Sequence, residues 1–141
     1  MARYQVEVEG VKFEVDDTLR YTRTDEWARL EDGVVRVGVT DYAQKMLKDI
    51  VGVELPEVGS RYSKGDSVAV LESIKATADV YAPVSGEVVE VNERLLEEPE
   101  LINKDPYGEG WIFTLKPENP AEYDELLTHD QYVEKVKKEK H

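Results

Sequence analysis

The chain has 141 residues, enough for one modest core, with 31 acidic against 18 basic side chains and a formal charge of −13. That balance argues against binding to a phosphate backbone, which Lys and Arg drive, and suits either transient docking on basic surfaces of partners or plain solubility. The absence of cysteine removes disulfides, thiolate metal sites and cysteine nucleophiles, so any sulfur chemistry must arrive on a cofactor.

Arg3 to Val8 and Val11 to Val15 alternate apolar and polar side chains about Glu9-Gly10, which predicts a β-hairpin. Strands are expected next at Trp27 to Leu30 and Val34 to Val39, joined through Asp32-Gly33. Thr40 or Asp41 can cap a short helix reaching about Lys48, with Gln44 placed for a capping box and Tyr42, Met46 and Leu47 facing inward. Short strands then recur at Ile50 to Glu54, Ser67 to Ser73, Thr77 to Tyr81, Gly86 to Val91 and Trp111 to Lys116. Regular short strands with turn residues between them predict a sandwich or barrel. Gly108-Glu109-Gly110 lacks the third glycine and the strand-to-helix setting of a nucleotide loop, and reads as a tight turn ahead of Trp111. Asn119-Pro120-Ala121-Glu122 is a helix start, after which Leu126 and Leu127 would face the barrel. Thr128 with Gln131 can cap a second helical segment carrying Tyr132, Val133 and Val136 as a narrow apolar stripe, and the tail from Lys137 is expected to fray.

His129 and His141 are the only histidines, both in the charged C-terminal region, so neither a histidine-rich metal site nor a Ser-His-Asp triad is expected. No apolar run approaches the length of a membrane span, and Met1 to Asp17 resembles neither a signal nor a transit peptide. The expectation is a cytoplasmic protein that binds neither membrane nor nucleic acid.

One residue stands apart. Lys75 lies in Glu72-Ser73-Ile74-Lys75-Ala76, between the strand-like runs Val68 to Leu71 and Ala78 to Tyr81. Nothing between Ser73 and Ala76 is suited to anchor a core, so the tip of the hairpin would present a long amine to solvent. Gly65-Asp66 and Pro83-Val84-Ser85-Gly86 punctuate the two flanks. Such a turn is how a chain would offer a handle for covalent modification, although most exposed lysines in turns are simply solvated.

From about Leu19 to about Lys135 the sequence resembles the H-protein family of the glycine cleavage system. The likeness is carried by Arg20-Tyr21-Thr22, Glu26-Trp27, Val37-Gly38-Val39-Thr40-Asp41-Tyr42-Ala43-Gln44 and Val53-Glu54-Leu55-Pro56-Glu57-Val58-Gly59. It continues through Glu72-Ser73-Ile74-Lys75-Ala76, Pro83-Val84-Ser85-Gly86-Glu87-Val88 and Asp105-Pro106-Tyr107-Gly108-Glu109-Gly110-Trp111. The hairpin tip separates it from relatives, since biotin carriers resemble Met-Lys-Met there and 2-oxoacid dehydrogenase lipoyl domains Asp-Lys-Ala. The resemblance implies a mainly β, lipoyl/biotinyl-type barrel-sandwich hybrid with a short internal helix and a C-terminal helix. A faint echo between Gly33-Val34-Val35-Arg36-Val37 and Gly86-Glu87-Val88-Val89-Glu90-Val91 fits the quasi-two-fold of such folds. The expected organisation is an N-terminal hairpin extension over 1–18, the lipoyl-binding domain over 19–136 and a frayed basic tail over 137–141.

What the resemblance implies about function is a non-catalytic carrier with lipoate joined covalently to Lys75. Its partners would be a pyridoxal-phosphate glycine decarboxylase, a folate-dependent aminomethyltransferase, a flavin-dependent dihydrolipoamide dehydrogenase and lipoate-attaching enzymes. The carrier would move an aminomethyl group between the first two and electrons to the third. A second role, as a lipoyl acceptor from which other enzymes are supplied, needs the same lysine. A sulfur-bound aminomethyl group is a cationic amine that water decomposes, and a cleft with carboxylates would hold it. By the same resemblance that cleft comprises Thr24 (where serine is usual), Glu26 and Asp79. Asp25 stands where histidine is usual, and its extra charge either strengthens amine binding or points outward.

Overall fold

Alternating apolar side chains fold the middle of the chain into two sheets that share one core. The computed structural model describes residues 3–139. Its strands are β1 (Arg3–Val8), β2 (Val11–Asp16), β3 (Arg20–Tyr21), β4 (Glu26–Glu31), β5 (Val34–Val39), β6 (Ile50–Glu54), β7 (Arg61–Tyr62), β8 (Ser67–Ser73), β9 (Thr77–Tyr81), β10 (Gly86–Val91) and β11 (Phe113–Pro117). The helices are α1 (Asp41–Leu47), α2 (Arg94–Glu97), α3 (Leu101–Lys104), α4 (Ala121–Asp124) and α5 (His129–Glu139). Strands pair as a six-stranded sheet β3-β4-β5-β11-β10-β7, a three-stranded sheet β6-β8-β9 and the separate hairpin β1-β2. This is the mainly β barrel-sandwich expected from the sequence. The two echoing segments, in β5 and β10, flank β11 on its two sides.

Two apolar clusters hold these parts. The first fills the space between the larger sheets with Val35, Val37, Val53, Leu71, Val80, Val88, Phe113 and Leu115. The second is aromatic: Phe13, Tyr21, Trp27, Tyr42, Tyr107 and Tyr132 join the hairpin, α1 and α5 to the outer side of the six-stranded sheet. Rings in it meet edge-on or stacked, with Phe13 at 5.1 Å from Tyr42 and Tyr21 at 4.7 Å from Tyr132. The hairpin therefore adds core, because Phe13 and Val15 are fully buried. Its turn uses Glu9 and Gly10 at positive φ (49° and 84°), the left-handed pair that a two-residue hairpin turn requires.

Several elements differ in detail from the sequence reading. Thr40, not Asp41, is the N-cap of α1, accepting from the Ala43 amide at 3.1 Å. Gln44 consequently lies one residue too late for a capping box, and its amide donates to Asp41 Oδ1 at 2.7 Å. The last strand begins at Phe113 and not Trp111, whose carbonyl is taken by the Asn92 side chain at 2.8 Å. Leu126 joins the first cluster as expected, whereas Leu127 packs on the second. Thr128 and Gln131 do form a reciprocal cap (3.0 and 3.4 Å). Helix α5 continues through Lys137, Lys138 and Glu139, where fraying was expected, tied by Lys135 to Glu139 at 3.1 Å. The rest of that tail, residues 140 and 141, lies outside the described residues. Strands β3 and β7 and the single turns α2 and α3 carry too few residues to show a period, and sequence reasoning missed them.

Candidate functional site

The β8–β9 hairpin pairs Glu72 with Thr77, leaving Ser73 to Ala76 as its tip. Ser73 organises that tip: its hydroxyl accepts from the amides of Lys75 (3.1 Å) and Ala76 (2.9 Å), and its own amide donates to the Ala76 carbonyl (2.8 Å). The Ile74 amide donates to the Asp49 carbonyl at 3.0 Å, which fastens the tip to the start of β6. Ile74 and Lys75 are both exposed. The lysine is not simply free in solvent, however: its amine donates to the Met46 carbonyl of α1 at 3.3 Å.

Met46 is one wall of a narrow groove of about 200 Å³ between α1 and the hairpin. Its apolar sides are Ala43, Met46, Leu47, Leu71 and Ala78, and Thr24, Asp25 and Asp79 also line it. Compact ligands generally occupy pockets of roughly 300–1,000 Å³. This groove is smaller than that. Asp79 lies two residues along β9 from Thr77, about 7 Å of strand, on the face opposite the core residue Val80. Its carboxylate accepts from Ser67 Oγ at 2.8 Å and Tyr81 OH at 3.5 Å.

Glu26 begins β4 and is 1% exposed. Thr22 and Thr24 hydroxyls both donate to its Oε1 at 2.5 Å, and the Tyr81 amide donates to Oε2 at 3.2 Å. Burial pushes its carboxyl up from 4.5 to about 7; those hydrogen bonds act the other way, and the nearby Asp25 charge adds to the rise. Glu26 lines a second, larger cleft of about 430 Å³ with Tyr21, Tyr81, Leu126 and Leu127. Thr24 is the residue common to both cavities. The structure thus joins Thr24 to Glu26 directly and sets Asp79 in the adjoining groove.

Asp25 neither stands free in the groove nor points to bulk solvent. It has φ of 69°, and its Oδ1 accepts from Tyr132 OH (2.9 Å) and from Lys135 Nζ (2.7 Å), both on α5. Sequence reasoning did not find Lys135, which is 4% exposed at its side chain and reads as one charge in a charged helix. Among the described residues no cluster of His, Cys, Asp or Glu could hold a metal ion, and no helix is long and apolar enough to cross a membrane.

Known proteins match this chain along most of their length. The family described as Glycine cleavage H-protein matches residues 19–139. A probable glycine cleavage system H protein of Aeropyrum pernix is 67% identical over 136 residues, 96% of this chain and 95% of the relative. The glycine cleavage system H protein of Thermus thermophilus is 57% identical over 119 residues, 84% of this chain and 93% of its own. The crystal structure of a glycine cleavage system H protein from Mycobacterium marinum superposes with a TM-score of 0.80 at 39% identity, over 86% of this chain and 98% of that one. On these matches the chain belongs to the glycine cleavage H-protein family, a family of lipoyl carriers.

Proposed function

We propose that this protein is the lipoyl-carrying shuttle of a glycine cleavage system, with lipoate joined to Lys75. The observation that supports this most is the position of the Lys75 amine, 3.3 Å from the carbonyl of Met46, which lines a small groove with apolar sides. An amide at that nitrogen removes the cation and with it the cost of laying the side chain along apolar walls. Lys75 would hold the lipoyl group, which would supply a disulfide able to carry a one-carbon amine between a pyridoxal-phosphate decarboxylase and a folate-dependent aminomethyltransferase and, once reduced to the dithiol, to be reoxidised by dihydrolipoamide dehydrogenase.

The protein's own residues orient and protect. Ala43, Leu47, Leu71 and Ala78 exclude water from the groove, and Asp79 and Thr24 meet whatever reaches its end. Glu26 stands behind Thr24 and, with a value of about 7, is part protonated at neutral pH. An ammonium beside it favours the ionised carboxylate, so docking of a cationic arm releases a proton from Glu26. Hold on the arm weakens as pH falls below about 7, because the carboxyl is then neutral.

Peptide mass mapping of protein from its native source tests the attachment. The lipoyl mass is expected on the Lys75 fragment. Lys64, paired with Glu125 at 3.4 Å, and Lys104, at the end of α3, also lie at turns. Modification of either, with Lys75 bare, would overturn the assignment.

A further inference from the structure

Besides the β8–β9 hairpin, the groove is lined by two parts far apart in sequence, Thr24 and Asp25 of the Thr22–Asp25 turn and helix α1, and one chain of hydrogen bonds runs between these two through α5. The Ala43 amide donates to Thr40 Oγ1 at 3.1 Å. That hydroxyl meets Tyr132 OH at 2.7 Å, and Tyr132 OH donates to Asp25 Oδ1 at 2.9 Å, so the single Thr40 proton points to Tyr132. Lys135 Nζ closes the chain on the same Asp25 oxygen at 2.7 Å, and the Thr40 amide donates to the Asp25 carbonyl at 3.0 Å. Tyr132 is fully buried and Lys135 is 6% exposed overall. Such bonds, one of them between opposite charges, are stronger and more directional than their surface counterparts.

Asp25 gains nothing by itself from this geometry. Its left-handed backbone is unfavourable for a residue with a Cβ, although Asp tolerates it better than most. A buried lysine is costly unless paired. Neither cost is needed to close the sheet, since β4 pairs with β5 along its whole length from Glu26 to Glu31. What the arrangement does fix is the placement of Thr24 and Asp25 relative to Ala43 and Met46, all four of which line the groove.

We propose that Tyr132 and Lys135 are positioning residues for the arm groove: acting through Asp25, they latch the Thr22–Asp25 turn against the first turn of α1 and hold these two linings of the groove in place. This rests on the carrier reading above. Without the latch the turn swings away from α1, water enters along the groove, and Thr24 no longer presents Glu26 to the end of the arm. The C-terminal helix thereby governs how well a loaded arm is shielded.

The test compares Lys135→Met, which keeps an apolar stem in the buried position, Lys135→Arg, which keeps the charge, and Asp25→Asn, which suits the left-handed backbone. The first measurement needs no arm: amide exchange at Thr40, whose proton reports the bond to the Asp25 carbonyl, taken relative to amides of the β5–β11 ladder. Lys135→Met and Asp25→Asn are expected to speed Thr40 exchange on the order of tenfold with the ladder unchanged, and Lys135→Arg to restore most of the protection. The second measurement is formaldehyde release from arm-loaded protein, expected to rise with Lys135→Met in step with Thr40 exchange. Exchange at Thr40 that matches the parent, or that rises only as much as the ladder, would overturn the latch. If the loaded parent itself releases formaldehyde as fast as a small-molecule aminomethyl thioether of dihydrolipoamide, the groove reading fails, and the latch is then judged on Thr40 exchange alone.

Discussion

Glu26 shows how a single side chain is set by what surrounds it. The unfolded chain releases its proton near 4.5, and the native state holds it to about 7. Between those values the native state binds the extra proton, so the stability from this group is full below about pH 4.5 and is lost as pH rises through about 7. The loss amounts to about 3 kcal/mol. Glu26→Gln removes the titration, so its urea midpoint should fall less between about pH 5 and pH 8 than the parent's. Equal slopes in the two proteins would show that Glu26 ionises like a surface acid. Lys75 behaves oppositely. It is exposed, and its side chain makes a single amine-to-carbonyl contact. Lys75→Ala should therefore change stability by no more than about 0.5 kcal/mol while abolishing carrier activity. A large loss of stability would show that the lysine is part of the fold.

Among the elements, β10 illustrates why a turn motif is fixed by its neighbours. Gly86 opens the strand after Pro83-Val84-Ser85 and pairs with both Pro117 of β11 and Tyr62 of β7. A Cβ there would lie 2.3 Å from the Lys116 carbonyl oxygen, which is backbone and cannot turn aside. Gly86→Ala is expected to cost about 1–3 kcal/mol, as overpacking does, and to loosen the join of β7 to the sheet. Thermal unfolding measures the first and amide exchange at Tyr62 the second; a variant as stable as the parent would mean that β10 and β11 separate easily at this end. The hairpin tip is governed differently. Ser73 folds it through local bonds to Lys75 and Ala76, so its shape is carried by the four residues from Ser73 to Ala76 themselves.

Across the whole molecule, the N-terminal hairpin and α5 belong to the same aromatic cluster as the six-stranded sheet. Phe13 is 0% exposed and stands edge-on to Tyr42 of α1. Phe13→Ala should cost about 3–5 kcal/mol, the usual loss for a buried ring. Because the cluster spans hairpin, helix and sheet, the loss should appear as one shifted transition, seen alike by tryptophan fluorescence and far-UV circular dichroism. Two separated transitions would instead mark residues 1–18 as an extension that folds by itself.

The sequence alone determined the strands whose apolar alternation is long enough to read, the cap at Thr128 with Gln131, and the lysine tip between Ser73 and Ala76, because each is encoded by neighbours within a few residues. The likeness in motif order carried the barrel-sandwich fold as well. Only the tertiary structure decided that Glu26 is buried and weak as an acid, that Asp79 lies in a separate groove joined to it through Thr24, and that Asp25 is held by Tyr132 and Lys135. Lys135 is 110 residues from Asp25 in the chain and has no local pattern that announces its burial. Propensity and periodicity act over one or two turns of chain, whereas desolvation and ion pairing depend on which surfaces meet, and that is known only once the sheets have closed.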